Sequence, residues 1–167
     1  MSKNTEVFKR LEDKLERLVK DSFTQAVTQS LANDIAQQIK KRTMLGYGVD
    51  ESGNQVRLAP LKESTIQRRE DYSENLSDAA RPSRSSLTAT GQLLDAIKGV
   101  GSVARVEITI KGNRTKELDG SRSRINNTQL SKFVQVLRPF FGLTRPERNR
   151  FVRQVKDTIL RAVKTKL

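Results

Sequence analysis

The sequence contains no cysteine and no histidine. The first absence excludes disulfides, a thiol nucleophile and cysteine metal sites. The second removes the commonest general base and the commonest transition-metal ligand. Aromatic residues make up only 5% of the 167 positions, too few to supply the stacking platforms with which single-strand binders hold bases. No apolar run approaches the ~18 residues that a membrane span requires. The opening MSKNTEVFKR passes straight into a charged helical pattern and lacks the apolar stretch of a signal peptide. The chain is therefore expected to be soluble, with no membrane partner, and to stay in a cytoplasm-like compartment until it is assembled into something larger.

The remaining chemistry is thin. GYGVDESG lacks the Gly-Lys-Ser/Thr ending of a phosphate loop. Asp50/Glu51 and Asp71/Glu74 have neither the spacing of a calcium loop nor that of a paired-carboxylate site. Ser85 and Ser86 have no histidine to activate them, and nothing places a serine–lysine pair. No catalytic residue, cofactor or metal is expected, and binding is left as the supported activity.

What the chain has in abundance is positive charge. Lysine and arginine number 32 against 19 acidic residues, a net charge of +13, and 31% of positions are charged. Such an excess favours nucleic acid, an anionic membrane or an acidic protein face, and charge alone does not choose among them. No helix-turn-helix, zinc finger or RNA-recognition signature is present, so contact with phosphates would be non-specific.

At this length one domain is the default. Residues 1–44 read as a long helix or helical extension. Phe8, Leu11, Leu15 and Leu18 recur at steps of three and four, and Phe23, Val27, Leu31, Ile35 and Ile39 continue at steps of four. The stripe shifts phase near Asp21-Ser22, where a break or bend is expected. Such a segment packs either on its own domain or on a neighbouring subunit. Residues 55–143 form a sheet-and-short-helix core. Within it lie a strand at 55–58, a short helix holding Ile66 with Ser64 or Thr65 near its start, and a helix over 87–99 with Thr90 as N-cap and Lys98-Gly99 as its close. The clearest strand follows, with Ala104, Val106, Ile108 and Ile110 alternating with polar residues. Asn126 or Asn127 caps a further helix. Residues 70–86 and 112–124 are polar and read as mobile loops. Phe8, Phe23, Phe133 and Phe151 sit in or beside apolar stripes and are expected in the core.

Pro139 and Gly142 forbid a continuous helix near the end. Arg138, Pro139, Phe140 and Phe141 are read as a structural anchor that docks the last helix, residues 144–167. Thr144 and Glu147 match a capping box, with Pro146 in the first turn. Val152, Val155, Ile159 and Ala162/Val163 mark the expected buried face of that helix.

Three of these segments, in order, resemble the virion morphogenesis, or tail-completion, proteins of tailed bacteriophages. APLKESTIQRR is similar to that family's Pro-Leu, Ser-Thr and basic-helix segment, at Pro60, Leu61, Ser64, Thr65 and Arg68. LTATGQLLDAIKG with its following strand is similar to the Leu-x-x-Thr-Gly-x-Leu helix, at Leu87, Thr90, Gly91, Leu93, Ala96 and Ile97, with Leu94 beside them. LRPFFGLT is similar to the Arg-Pro-Phe-Leu-Gly-Leu-Ser element, at Arg138, Pro139, Phe140, Phe141, Gly142, Leu143 and Thr144. The sequence departs from the family at NNTQLSKFVQVL, which lacks the usual glycine. The resemblance implies an α+β fold in which a long N-terminal helix packs on a small, mostly antiparallel sheet, followed by a C-terminal helix. It implies a structural role at the phage neck, where head meets tail. The partners it implies are further copies in a homo-oligomeric ring and other neck and tail proteins. DNA in the ring's channel is a possible non-specific contact. Localisation would be the virion, and the host cytoplasm during assembly.

Overall fold

The computed structural model describes residues 3–76, 87, 89–114, 117 and 119–166. The fold is α+β, with helices, two small antiparallel sheets and a C-terminal helix. The N-terminal segment is two helices, α1 (Lys3–Ser22) and α2 (Gln25–Met44), separated at Phe23-Thr24. This is where the apolar stripe changes phase. The buried Phe23 occupies the joint, and Thr24 restarts the helix by accepting a hydrogen bond from the Val27 N–H. α1 packs along the C-terminal helix α6 (Arg145–Lys166), whereas α2 lies across the larger sheet.

That sheet is the hairpin of β3 (Ile97–Ser102) and β4 (Arg105–Ile110). Its period-two pattern is obeyed on both strands. Ile97, Gly99 and Gly101 pair with Ile110, Ile108 and Val106 on the face toward α2, while Lys98, Arg105 and Glu107 face solvent. A smaller hairpin joins β1 (Tyr47–Val49) to β2 (Gln55–Arg57), and its turn is closed by Asp50, which accepts hydrogen bonds from the Asn54 backbone (2.7 Å) and side chain (3.1 Å). α3 (Glu63–Asp71) follows, with Ser64 and Thr65 near its start as expected and Lys62 at its N-cap position. α5 (Asn127–Leu137) is capped by Asn126, with Gln129 completing a capping box.

The helix expected over 87–99 is confined to α4 (Gln92–Asp95), and Ile97 belongs to β3. Gly91, at φ 74°, holds the N-cap position, so Thr90 does not cap. The glycine read as a helix stop has another use. A Cβ on Gly99 would lie 2.2 Å from the Ala32 carbonyl of α2, and one on Gly101 would lie 2.1 Å from the Gln29 nitrogen. Only glycines allow strand and helix backbones so close.

The core gathers Ile35, Ala36 and Ile39 of α2 with Leu58, Leu93, Leu94, Ile97 and Phe140. Two expectations about it are corrected. Phe133 is 67% exposed, because the inward side of α5 carries Leu130 and Val134. Val152 is also exposed, and α6 turns Phe151, Val155, Ile159, Ala162 and Val163 toward the body of the protein, one position away from the expected start. The side chain of Phe8 lies outside the described residues. So do residues 77–86 of the expected loop 70–86, whose first part holds the end of α3 and a 3-10 turn at Ser73–Asn75. In the segment 112–124, Glu117 accepts from Arg114 (2.7 Å) and from the Ser123 hydroxyl (2.9 Å), and Asp119 pairs with Arg68 (3.0 Å).

Candidate functional site

The three motif segments are distant in sequence and meet around the loop 138–144. Arg138 reaches back to the first of them: its Nε donates to the Ala59 carbonyl (3.1 Å) and a terminal nitrogen to the Pro60 carbonyl (3.0 Å). Pro139 offers its carbonyl to the Val49 N–H of β1 at 2.7 Å. Phe140 has no exposed surface and packs in one cluster with Leu93, Leu94 and Ile97 of the second segment. Phe141 is half-buried and meets Phe140 edge to face, with ring centroids 6.2 Å apart. Of the remaining singled-out residues, Leu61, Thr90 and Gly91 are half-buried, while Pro60 and Thr65 are exposed.

Side chains outside the three motif segments hold this loop in place. Arg42, in the last turn of α2, is 5% exposed. One terminal nitrogen donates to the Phe140 carbonyl (2.7 Å) and the Gly142 carbonyl (3.0 Å), and the other pairs with the Glu147 carboxylate. Glu147 also accepts from the Thr144 N–H (2.7 Å), while the Thr144 hydroxyl accepts from the Glu147 N–H (3.3 Å). The expected capping box thus forms, and its carboxylate doubles as the counter-ion of a buried arginine. Burial pushes the Arg42 guanidinium down from its ordinary value, and Glu147 opposes that shift. From the other side, Gln135 of α5 accepts from the N–H groups of Phe140 (3.1 Å) and Phe141 (3.0 Å). A second buried arginine, Arg69 of α3, is pushed down by burial and then by the nearby charge of Arg138.

A signal for Arg42 exists in the sequence. It falls three residues after Ile39 on the apolar stripe of α2, where a charge must be paired if the stripe is buried. Gln135 carries no such mark.

The chemistry of this node is that of a clasp. Its polar groups are turned inward on carbonyls and N–H groups, and among the described residues no group of acidic side chains could hold a metal ion. What the node presents outward is α5. Val136 and Leu137, 83% and 70% exposed, join Phe133 in an apolar stripe with no covering element among the described residues. The outer side of α6 presents Arg148, Arg150, Arg153, Lys156, Arg161 and Lys164, all exposed. Among the described residues, no helix is long and apolar enough to cross a membrane. No protein-family model, curated protein or solved structure matches the chain.

Proposed function

We propose that this chain is a structural virion protein of a bacteriophage neck. It completes the tail or joins head to tail, and it acts by protein–protein assembly around the DNA channel rather than by catalysis. The observation that carries this reading is the set of three motifs, in order, that resemble the tail-completion proteins. Their convergence on one buried node supports it, because residues matched for assembly rather than for catalysis should support a shared scaffold. The exposed apolar stripe on α5 suits a protein completed by its neighbours. Closed cyclic rings are the usual form of such repeated subunits, and a homo-oligomeric ring in contact with other neck and tail proteins is the arrangement proposed. It would be found in the virion, and in the host cytoplasm during assembly.

A second reading is non-specific nucleic-acid binding or DNA packaging, favoured by the exposed basic face of α6 and the net charge of +13. In a ring the same charge would tolerate DNA passing along the axis.

Deleting the gene and imaging the lysate by electron microscopy separates these readings. The proposal expects DNA-filled heads and separate tails that fail to join. Normal joined virions would sink it, and empty heads alone would favour the packaging reading.

A further inference from the structure

The two edges of the β3–β4 hairpin are treated differently. The Lys111 N–H donates to the Ala96 carbonyl. With the register Ile97↔Ile110, this makes Arg105, Glu107 and Thr109 the residues bonded to β3. Gly99 and Gly101 turn their polar groups to the far side of β3, where the Gln29 amide meets both: its nitrogen donates to the Gly99 carbonyl (2.8 Å) and its oxygen accepts from the Gly101 N–H (3.0 Å). That edge is closed by a side chain that imitates a strand.

The β4 edge is open. Val106 and Ile108 turn N–H and C=O outward, and among the described residues these groups meet no partner. Of this edge, only the Ile110 carbonyl is taken among the described residues, by the Thr128 hydroxyl at 2.8 Å. Beside this edge, between β4 and α5, lies a cleft of about 290 Å³ with Ile108, Ile110, Phe140 and Phe141 among its walls. Ile108 and Ile110 remain half-exposed there. An open edge is a template for an added strand, and the cleft is the pocket that an alternate side chain of that strand would fill.

Charge selects the strand. Lys111 follows β4 in step with Arg105 and Glu107, on the face opposite the cleft, where the alternate side chains of an added strand would point, and Lys132 stands at the cleft wall; neither has an ion pair among the described residues. The nearby acid Glu107 is engaged by Arg105 at 3.2 Å. Among the described residues, no carboxylate lines the cleft. A second copy of so basic a chain would bring more positive charge.

We infer that the β4 edge and its cleft take up an extended segment of a partner protein, alternating apolar and acidic residues, as a third strand of the sheet. This rests on the reading that the chain works by binding other proteins, and not on where in the virion it does so.

The test uses the full chain and a capped eight-residue peptide of alternating valine and glutamate, followed by nuclear magnetic resonance and by exchange of backbone amides. Addition of the peptide should slow exchange at Val106 and Ile108 while Arg105 and Glu107, already bonded to β3, change little. Val106→Pro removes one outward N–H, keeps an apolar ring and spares every β3–β4 hydrogen bond, a substitution that edge strands accept. It should weaken binding by about tenfold, the effect of losing a main-chain hydrogen bond and the close approach beside it. Should that variant fail to fold, a peptide N-methylated on its inward amides makes the same cut from the other side and should not bind. A valine–lysine peptide should bind more weakly than the valine–glutamate one. The inference is overturned if the valine–glutamate peptide leaves the Val106 and Ile108 amides unprotected, or if the N-methylated peptide binds equally well. Concentration-dependent self-association that protects these amides without peptide would replace the partner by a second copy. None of these outcomes touches the deletion phenotype, so the neck reading and the edge reading fail separately.

Discussion

Replacing Phe140 by alanine tests whether the Arg-Pro-Phe-Phe loop is an anchor. The ring is fully buried among Ile39, Leu58, Leu94 and Ile97, so truncation leaves a cavity that its neighbours, held on α2, α4, β3 and the segment after β2, cannot collapse to fill. Such truncations cost about 3–5 kcal/mol. For a chain of this length each kcal/mol lowers Tm by roughly 2–4 °C, so the expected loss is about 6–20 °C. Arg42 and Gln135 grip the loop through backbone atoms of Phe140, which survive the substitution. The variant should therefore keep its helical circular dichroism at low temperature while melting early. Phe141→Ala is the internal comparison. Its ring is half-buried and lines the open cleft, so about half the loss is expected. Thermal melting by circular dichroism and by calorimetry should agree if unfolding is cooperative. If Phe140→Ala melts within about 2 °C of wild type, or if Phe141→Ala is the more damaging change, the anchor argument is wrong.

Three further outcomes are expected. Arg42→Leu should destabilise by about 3–5 kcal/mol, because it leaves the Glu147 carboxylate without its buried partner and the Phe140 carbonyl without its donor; chemical denaturation would show this as a lower midpoint, and a midpoint equal to wild type would mean that the clasp contributes nothing. Gly99→Ala should prevent β3 from closing on α2, since the added carbon would overlap the Ala32 carbonyl, whereas Gly120→Ala meets no neighbouring atom and is strained only by its positive φ; amide exchange across β3 should rise in the first variant and not in the second. The hydrogen bonds from Asn54, led by the one from its backbone N–H, hold the Asp50 carboxyl below its ordinary value, so the contribution of Asp50 is present at neutral pH and is lost as pH falls through that lowered value; Asp50→Asn should flatten the acid limb of hairpin order followed at Tyr47, and an unchanged limb would refute the assignment.

The sequence by itself determined the elements whose signals are local. The phase shift after Leu18 located the break between the first two helices, because a stripe that rotates off one face cannot stay buried on it. The alternation from Val106 to Ile110 located a strand with one face in solvent. Thr144 and Glu147 marked the start of the last helix, since a capping box is satisfied within four residues. Tertiary structure decided what depends on neighbours far along the chain. Lys98-Gly99 has the local form of a helix stop, yet Gly99 lies in a strand because α2 comes too near for any side chain and because β4 offers a ladder. Phe133 belongs to an apolar stripe, but burial goes to whichever face of α5 meets the sheet, and that face carries Leu130 and Val134. Arg42 becomes a clasp only once Phe140, Gly142 and Glu147, about a hundred residues onward, are folded against it. The open edge of β4 is likewise invisible in one dimension: a strand's pattern says which side chains are buried, and not which of its backbone groups find a partner.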